Sequence, residues 1–333
     1  MDGPALSRIV RGGWQVHAGT SADPAAEARR ILAFMAAGVS TFETSDTYRH
    51  VDDALRLAIA ARREAGLPPP RVHGRLTLPC DVEDGCRQVL DRLGAGRIDL
   101  LQIQDWALRE DRILAACRAV SDLQARGFVG GLGVMNMSEE TLQVLWDAGV
   151  RPASVQVQLS LLDRRPLTAL TGWAGRHGVA VLAYGTLAGG LLDGRWLGRP
   201  DPGLRSTGDA PFHAEYRAIV EAFGGWALYQ ELLAALASIA SACSATIPDL
   251  ALRWVLDRPG VAAALVGASD PARVAAWRRA LALRWPDDAE ARIDAVLARS
   301  PGVPGPVGWL ERQADGPFAK AIAASRSAAS HIP

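Results

Sequence analysis

The chain has 333 residues, with 36 Lys and Arg against 36 Asp and Glu and a formal net charge of zero. A neutral chain lacks the basic surplus that holds nucleic acid or an anionic membrane nonspecifically. With 49% hydrophobic residues it has enough apolar surface for a large core.

Four cysteines, Cys80, Cys86, Cys117 and Cys243, show neither Cys-x-x-Cys nor Cys/His ligand spacing. They read as reduced, packed residues, with no metal site and no disulfide framework. The opening Met-Asp-Gly-Pro has no basic stretch followed by an apolar one, and no apolar run reaches the length of a membrane span. The expectation is therefore a cytoplasmic chain with no nucleic acid or membrane as partner. Lys320 is the only lysine in the sequence.

Short apolar runs alternate with amphipathic segments from one end to the other. Strands are predicted at Arg8–Gln15, Val39–Glu43, Val72–Leu78, Leu100–Gln104, Gly131–Val134, Ser154–Leu159, Ala180–Tyr184 and Ala262–Val266. Helices are predicted at Pro24–Ala37, Asp52–Ala65, Val82–Leu93, Arg112–Arg126, Glu139–Ala148, Pro166–His177, Ala227–Ser241, Pro248–Asp257 and Pro271–Leu283. Gly38, Gly66, Gly127, Gly149 and Gly178 each sit just past a helix, where a left-handed residue is wanted. Eight strand–helix units in this order predict an α/β fold, a (β/α)8 TIM barrel. Leu192–Phe212, rich in Gly, Pro, Arg and Asp, reads as a long loop after strand seven. The domain organisation expected is one barrel over residues 1–300 and a C-terminal tail over 301–333, frayed at Ala323–Pro333.

The stretch Thr41–His50 (Thr-Phe-Glu-Thr-Ser-Asp-Thr-Tyr-Arg-His) ends a strand in carboxylates, hydroxyls and a tyrosine, just before a helix. In a parallel α/β protein that is where chemistry sits. The stretch resembles the Phe-Asp-Thr-Ala-x-x-Tyr-Gly signature of the aldo-keto reductases. Further segments resemble the same family in order: Gly12–Gln15, Gly130–Met137, Ser154–Leu162, Ala183–Leu187, Ala251–Leu256 and Val266–Pro271.

The resemblance implies an NADP(H)-dependent oxidoreductase in which a tyrosine protonates the substrate carbonyl oxygen. In the family a lysine paired with an aspartate lowers that tyrosine's pKa, and a histidine orients the substrate. Here Tyr48 matches the tyrosine, while Glu43 stands for the aspartate, Arg75 for the lysine and Gln104 for the histidine. Glu43 and Arg75 could still pair, because a forked guanidinium suits a carboxylate. Arg75 remains a cation beside Tyr48 and cannot pass on its own proton. Gln104 can hydrogen-bond a carbonyl but cannot titrate. If Arg75 faces inward, alternation turns His73 and Thr77 inward too, and Gln104 brings Gln102 with it.

For the cofactor, the resemblance implies that Asn136 and Gln156 bind the nicotinamide carboxamide and that Tyr184 stacks on its ring. Gly185, Thr186 and Leu187 match the pyrophosphate loop, and Arg273 matches the residue that reads a 2′-phosphate. Met135, Gly267 and Trp277 depart from the family's usual serine, lysine and asparagine. Trp14 and Trp106 read either as pocket walls or as ordinary packing, and His50 either as a substitute acid or base or as a surface residue. Glu43, Arg75 and Gln104 read as a functional cluster or as plugs of a decayed barrel mouth.

Three readings remain open from the sequence. The first is a reductase of altered acid–base machinery acting on a small carbonyl or alcohol. The second is a repurposed barrel enzyme with net non-redox chemistry such as elimination, isomerisation or cyclisation. The third is a noncatalytic nucleotide-binding sensor or interaction protein.

Overall fold

The computed structural model describes residues 8–14, 23–202, 212–310, 313 and 316. Eight parallel strands, β1 (Ile9–Arg11), β2 (Thr41–Glu43), β3 (Arg71–Leu78), β4 (Leu100–Asp105), β5 (Leu132–Met135), β6 (Ser154–Gln158), β7 (Ala180–Tyr184) and β8 (Val261–Val266), close into a barrel in sequence order. This is the (β/α)8 architecture the alternation predicts.

Between the strands lie α1 (Pro24–Ala36), α2 (Arg49–Glu64), α3 (Val82–Leu93), α4 (Glu110–Ala125), α5 (Glu139–Asp147) and α6 (Leu170–His177). After β7 come α7 (Phe212–Phe223), α8 (Gly225–Ala242) and α9 (Ile247–Leu256), and after β8 come α10 (Arg273–Ala282) and α11 (Ala289–Leu297). Their limits follow from local chemistry. The Asp81 carboxylate accepts from Asp84 N at the start of α3, and Gly94 ends that helix at φ 58. All five glycines expected past helix ends adopt positive φ.

The structure also departs from the expected elements. The first strand is short, leaving the sheet at Gly12, and Gln15 lies outside the described residues. Pro166–His177 is not one helix. Arg165–Leu167 forms a 3-10 turn, with Leu167 N bonded to Arg164 O and Thr168 N to Arg165 O, before α6 begins. In the long segment after β7, Gly194–Trp196 is a 3-10 turn and α7 begins at Phe212, while residues 203–211 are outside the description. The helix α11 is an addition to the predicted set, and Ala323–Pro333 lies outside the described residues.

The chain divides into two compact units, Met1–Gln156 with Trp173–Leu182 and Ala262–Val274, and Val157–Gly172 with Ala183–Val261 and Ala275–Pro333. In the second unit α8 buries Leu228, Leu232, Leu236 and Ile239 along one face. Among the described residues no single helix is long and apolar enough to cross a membrane; α8 and α9 pass that test only as a pair bent by 95°.

β2, β3, β4 and β6 each have one apolar and one polar face. Val72, Leu76 and Leu78 on β3, and Leu101 and Ile103 on β4, are buried. The alternate residues Glu43, His73, Arg75, Gln102, Gln104, Ser154 and Gln156 are buried as well. Glu43 on β2 bonds Gln156 on β6, strands that are not neighbours, so the polar face is the barrel interior. The expectation that His73, Gln102 and Thr77 share the orientation of Arg75 and Gln104 follows from the same alternation.

Candidate active site

Tyr48 stands at the N-terminus of α2, on the turn that leaves β2. Its N–H donates to Ser45 O at 2.9 Å and its carbonyl accepts from Asp52 N at 3.1 Å. Thr44 Oγ1 donates to Asp52 Oδ1 at 2.6 Å, and Arg92 Nε donates to Asp52 Oδ2 at 2.6 Å, which tie the turn to α2 and α3. On its other side the turn is stapled to β3. Asp46 N donates to Arg75 O at 2.9 Å and Asp46 Oδ2 accepts from Thr77 N at 2.8 Å. The phenol is thus held by backbone on both flanks.

Arg75 is the centre of the side-chain cluster. Its Nη2 donates to the Tyr48 hydroxyl oxygen at 2.8 Å, its Nε to Ser45 Oγ at 3.3 Å and its Nη1 approaches Met135 Sδ at 3.3 Å. Both residues are deeply buried, Tyr48 at 2% and Arg75 at 9% exposure. The hydroxyl expected within reach of Arg75 is therefore in direct contact with it.

The Glu43–Arg75 pair that the sequence allows is not formed. Glu43 Oε1 accepts from Gln156 Nε2 at 3.0 Å and Oε2 from Gly13 N at 3.4 Å, and no ion-pair contact joins it to Arg75. Physically, the longer carboxylate side chain reaches across the interior to β6, while the guanidinium is already engaged by Tyr48 and Ser45. Gly13 permits this arrangement: a Cβ there would meet Glu43 O at 2.5 Å and Tyr48 Cδ2 at 3.3 Å.

Burial is the largest influence on Tyr48 and pushes its phenol well above the ordinary value. The Arg75 cation and its hydrogen bond pull the other way, and the Glu43 and Asp46 carboxylates push up again. Burial disfavours the Arg75 cation, but Tyr48, Glu43 and Asp46 outweigh it and raise its pKa. The pair at neutral pH is a charged guanidinium against a neutral phenol. His73, lower on β3, is held down to about 4 by burial, with the Arg71 cation adding to the shift.

Gln104 is buried at the end of β4, in register with Thr77, and its Nε2 has no hydrogen-bond partner. Gln156 Oε1 is likewise buried without a partner. Asn136 follows β5 at φ 54, with its N–H on Gln156 O at 2.9 Å, a left-handed turn that asparagine tolerates. Trp14 sits beside Tyr48, ring centroids 5.9 Å apart. Trp106 is half-buried on the turn after β4, where the Asp105 carboxylate accepts from Ala107 N and Arg112. His50 is half-buried in the first turn of α2 and shares no hydrogen bond or ion pair with Glu43, Arg75 or Gln104. Arg273 is exposed at the first residue of α10.

In the second unit, Tyr184 ends β7 half-buried and its carbonyl accepts from Leu159 N at 3.0 Å. Gly185 follows at φ 66, where a larger residue would be strained and its Cβ would meet Tyr216 Oη at 2.8 Å. Thr186 is buried and Leu187 half-buried on the turn that leads into the 3-10 helix Ala188–Gly190.

Two participants were not singled out by sequence reasoning: Ser45, which occupies Arg75, and Asp46, which staples the turn; Met135, named only as a departure from the family's serine, also approaches Arg75. The signal for Ser45 and Asp46 is present in Glu-Thr-Ser-Asp-Thr, a run of side-chain acceptors at a strand end.

Comparison with known proteins places this geometry in a family. The model of the Aldo/keto reductase family matches residues 8–298. An uncharacterized oxidoreductase of Mycobacterium tuberculosis is 30% identical over 281 residues, 79% of this chain and 81% of that protein. Two other curated relatives are matched over only 24% and 57% of their own lengths. Among solved structures, a glycerol dehydrogenase from Gluconobacter oxydans has a similar fold at TM-score 0.73 and 24% identity, covering 92% of this chain and 95% of that one. An aldo-keto reductase from Klebsiella pneumoniae in complex with NADPH superposes at TM-score 0.66 and 21% identity, covering 88% and 91%. With the closed eight-stranded barrel and a family match across nearly its whole length, the chain belongs to the aldo/keto reductase family.

Proposed function

We propose that the protein is an NADP(H)-dependent oxidoreductase that reduces a small carbonyl substrate, with Tyr48 as the proton donor. The observation that carries the reading is the buried 2.8 Å contact between Arg75 Nη2 and the Tyr48 hydroxyl. A neutral phenol is a donor, not a base, so the arrangement favours protonating a carbonyl oxygen over accepting a proton from an alcohol. As the proton leaves, charge grows on the phenol oxygen, and the Arg75 donor already aimed at it strengthens without reorganising. Arg75 supplies charge but no proton. Gln104 Nε2, an unpartnered buried donor, orients the substrate oxygen by hydrogen bonding.

The residues present suit a nicotinamide cofactor. Gln156 gives its amide N–H2 to Glu43 and keeps a buried, unpartnered Oε1 that accepts from a carboxamide. Asn136, Tyr184, Gly185, Thr186 and Leu187 are the remaining candidates to hold the dinucleotide, and exposed Arg273 is the candidate for a 2′-phosphate, as in the family signature. The Klebsiella relative with NADPH supports the choice of cofactor. When bound, the cofactor supplies the hydride; the residues above supply the proton, the orientation and the charge.

The test uses quenching of the protein's 10 tryptophans by NADPH and NADH, together with NADPH consumption against a panel of small aldehydes. Tyr48→Phe is expected to bind NADPH as the parent does and to lose about 10²–10⁴-fold in turnover, the scale of a positioned general acid. A Phe variant with full activity would exclude Tyr48 as the acid.

A further inference from the structure

The last residue of β1, Arg11, makes contacts that lead away from Tyr48. It is 3% exposed and in register with Val266 of β8. Its Nε and Nη2 both donate to the carbonyl of Ala268, at 3.0 and 2.9 Å. Its Nη1 meets Glu27 Oε1 of α1 at 2.6 Å. Glu27 is equally buried and accepts from Arg30 Nη1 on its other oxygen at 3.0 Å. The Arg11 guanidinium also lies over the Phe34 ring, 4.7 Å from its centroid. One planar cation is therefore held by two residues of α1, Glu27 and Phe34, while its other two nitrogens grip a single backbone carbonyl.

That carbonyl lies two residues past the end of β8, on the turn that delivers Arg273. From Ala268 the chain passes exposed Ser269 and Asp270, where the Asp270 carboxylate accepts from Ala272 N at 2.9 Å and its carbonyl accepts from Arg273 N at 3.0 Å. The turn is thus closed on itself at its far end by Asp270 and anchored at its near end by Arg11. On the strand side, Gly12 N donates to Val266 O at 3.1 Å, which fixes β1 against β8 at the same level.

We propose that Arg11 and Glu27 are positioning residues for the β8–α10 turn, and that through it they set the orientation of Arg273 toward the 2′-phosphate of a dinucleotide. The inference rests on the reading of Arg273 as the 2′-phosphate partner. A buried ion pair contributes little net stability compared with an apolar pair of the same volume, because desolvation offsets most of its attraction. What this pair supplies is direction: two hydrogen bonds converging on one carbonyl fix the turn against both α1 and β1. A phosphate contact depends on that placement, since charged hydrogen bonds are lost by small displacements.

The experiment measures NADPH and NADH dissociation constants by tryptophan quenching for the parent, Arg273→Ala, Arg11→Met and Arg11→Lys. Arg11→Lys keeps the cation opposite Glu27 but cannot make the two-pronged contact with Ala268. The expected result is a loss of NADPH affinity of about tenfold in both Arg11 variants, the scale of one charge-assisted hydrogen bond. NADH affinity should stay within about twofold of the parent, because no phosphate contact is lost. A merely structural role would move both cofactors together or neither. An NADPH to NADH ratio that falls in Arg273→Ala but not in the folded Arg11 variants overturns this inference and leaves the Arg273 reading standing. A ratio untouched by Arg273→Ala overturns the Arg273 reading, and the inference with it. Parallel losses for both cofactors, or failure of both Arg11 variants to fold, assign Arg11 to the structure alone and also overturn the proposal.

Discussion

His73 makes the barrel interior a source of acid sensitivity. The imidazole is buried on β3 and its Nδ1 has no hydrogen-bond partner. Burial and the nearby Arg71 hold its pKa at about 4, against 6.5 for an exposed histidine. The folded value lies below the unfolded one, so above pH 6.5 neither state is protonated and the residue adds no pH dependence. As the pH falls from 6.5 toward 4, the unfolded chain takes up a proton that the folded chain refuses, and stability is lost; below about 4 both states are protonated and the loss levels off. Over this window the loss amounts to about 2 kcal/mol at pH 5 and about 3 kcal/mol at pH 4. Urea unfolding of the parent and of His73→Gln, at pH 7.5 and 5, separates this from the acid sensitivity of carboxylates, which the two proteins share. The parent should lose about 2 kcal/mol more than the variant between those pH values. Parallel losses would mean that the folded barrel accepts the proton and that the buried imidazole is not held neutral.

Two other changes probe the buried polar groups. Gln102 lies in register with Arg75 and Gly133, fully buried, and neither atom of its amide has a hydrogen-bond partner. Gln102→Met keeps the volume and removes those atoms, and should raise unfolding stability by about 1–3 kcal/mol; an unchanged or lowered value would show that the amide is hydrogen-bonded by water in solution. In the second unit, Asp163 pairs with Arg165 through Nη2 at 2.6 Å and Nε at 2.9 Å, and Arg165 also donates to Pro306 O at 3.2 Å. Asp163→Ala should cost about 3–5 kcal/mol in urea unfolding, and a loss under 1 kcal/mol would refute the pair's role.

What could be read from the sequence was what short-range chemistry fixes. α3 is bounded as predicted, because an Asp cap and an apolar periodicity both lie within its own residues. The missed helix α7 carries Phe212, Tyr216, Ile219, Val220 and Phe223 at helical spacing, but it follows a Gly- and Pro-rich stretch with no cap to announce it. The missed α11 shows its face only as Ala289, Ile293 and Leu297, three residues with a four-residue spacing. The site divides along the same line. The Tyr48–Arg75 contact was legible because Thr41–His50 is a family-like segment and the resemblance sets a cation beside its tyrosine. The partner of Glu43 was not legible: Gln156 is 113 residues away, and only closure of the barrel brings the two amide and carboxylate groups together. Nor does the sequence show that Ser45, on the same turn as Tyr48, also takes a donor of the guanidinium.

In the proposed reaction the proton comes from a neutral phenol against a cation that cannot titrate. The most direct measurement is the pH profile of kcat for aldehyde reduction from pH 6 to 10, in the parent and in Arg75→Lys. Burial keeps the Tyr48 phenol protonated and Arg75 stays charged throughout, so the parent profile should be flat. An ammonium in that desolvated position titrates where a guanidinium does not, so Arg75→Lys should show a falling limb in the alkaline range. A parent profile that itself falls between pH 7 and 9, or profiles of the two proteins that superimpose, would exclude donation by a neutral Tyr48 held against Arg75.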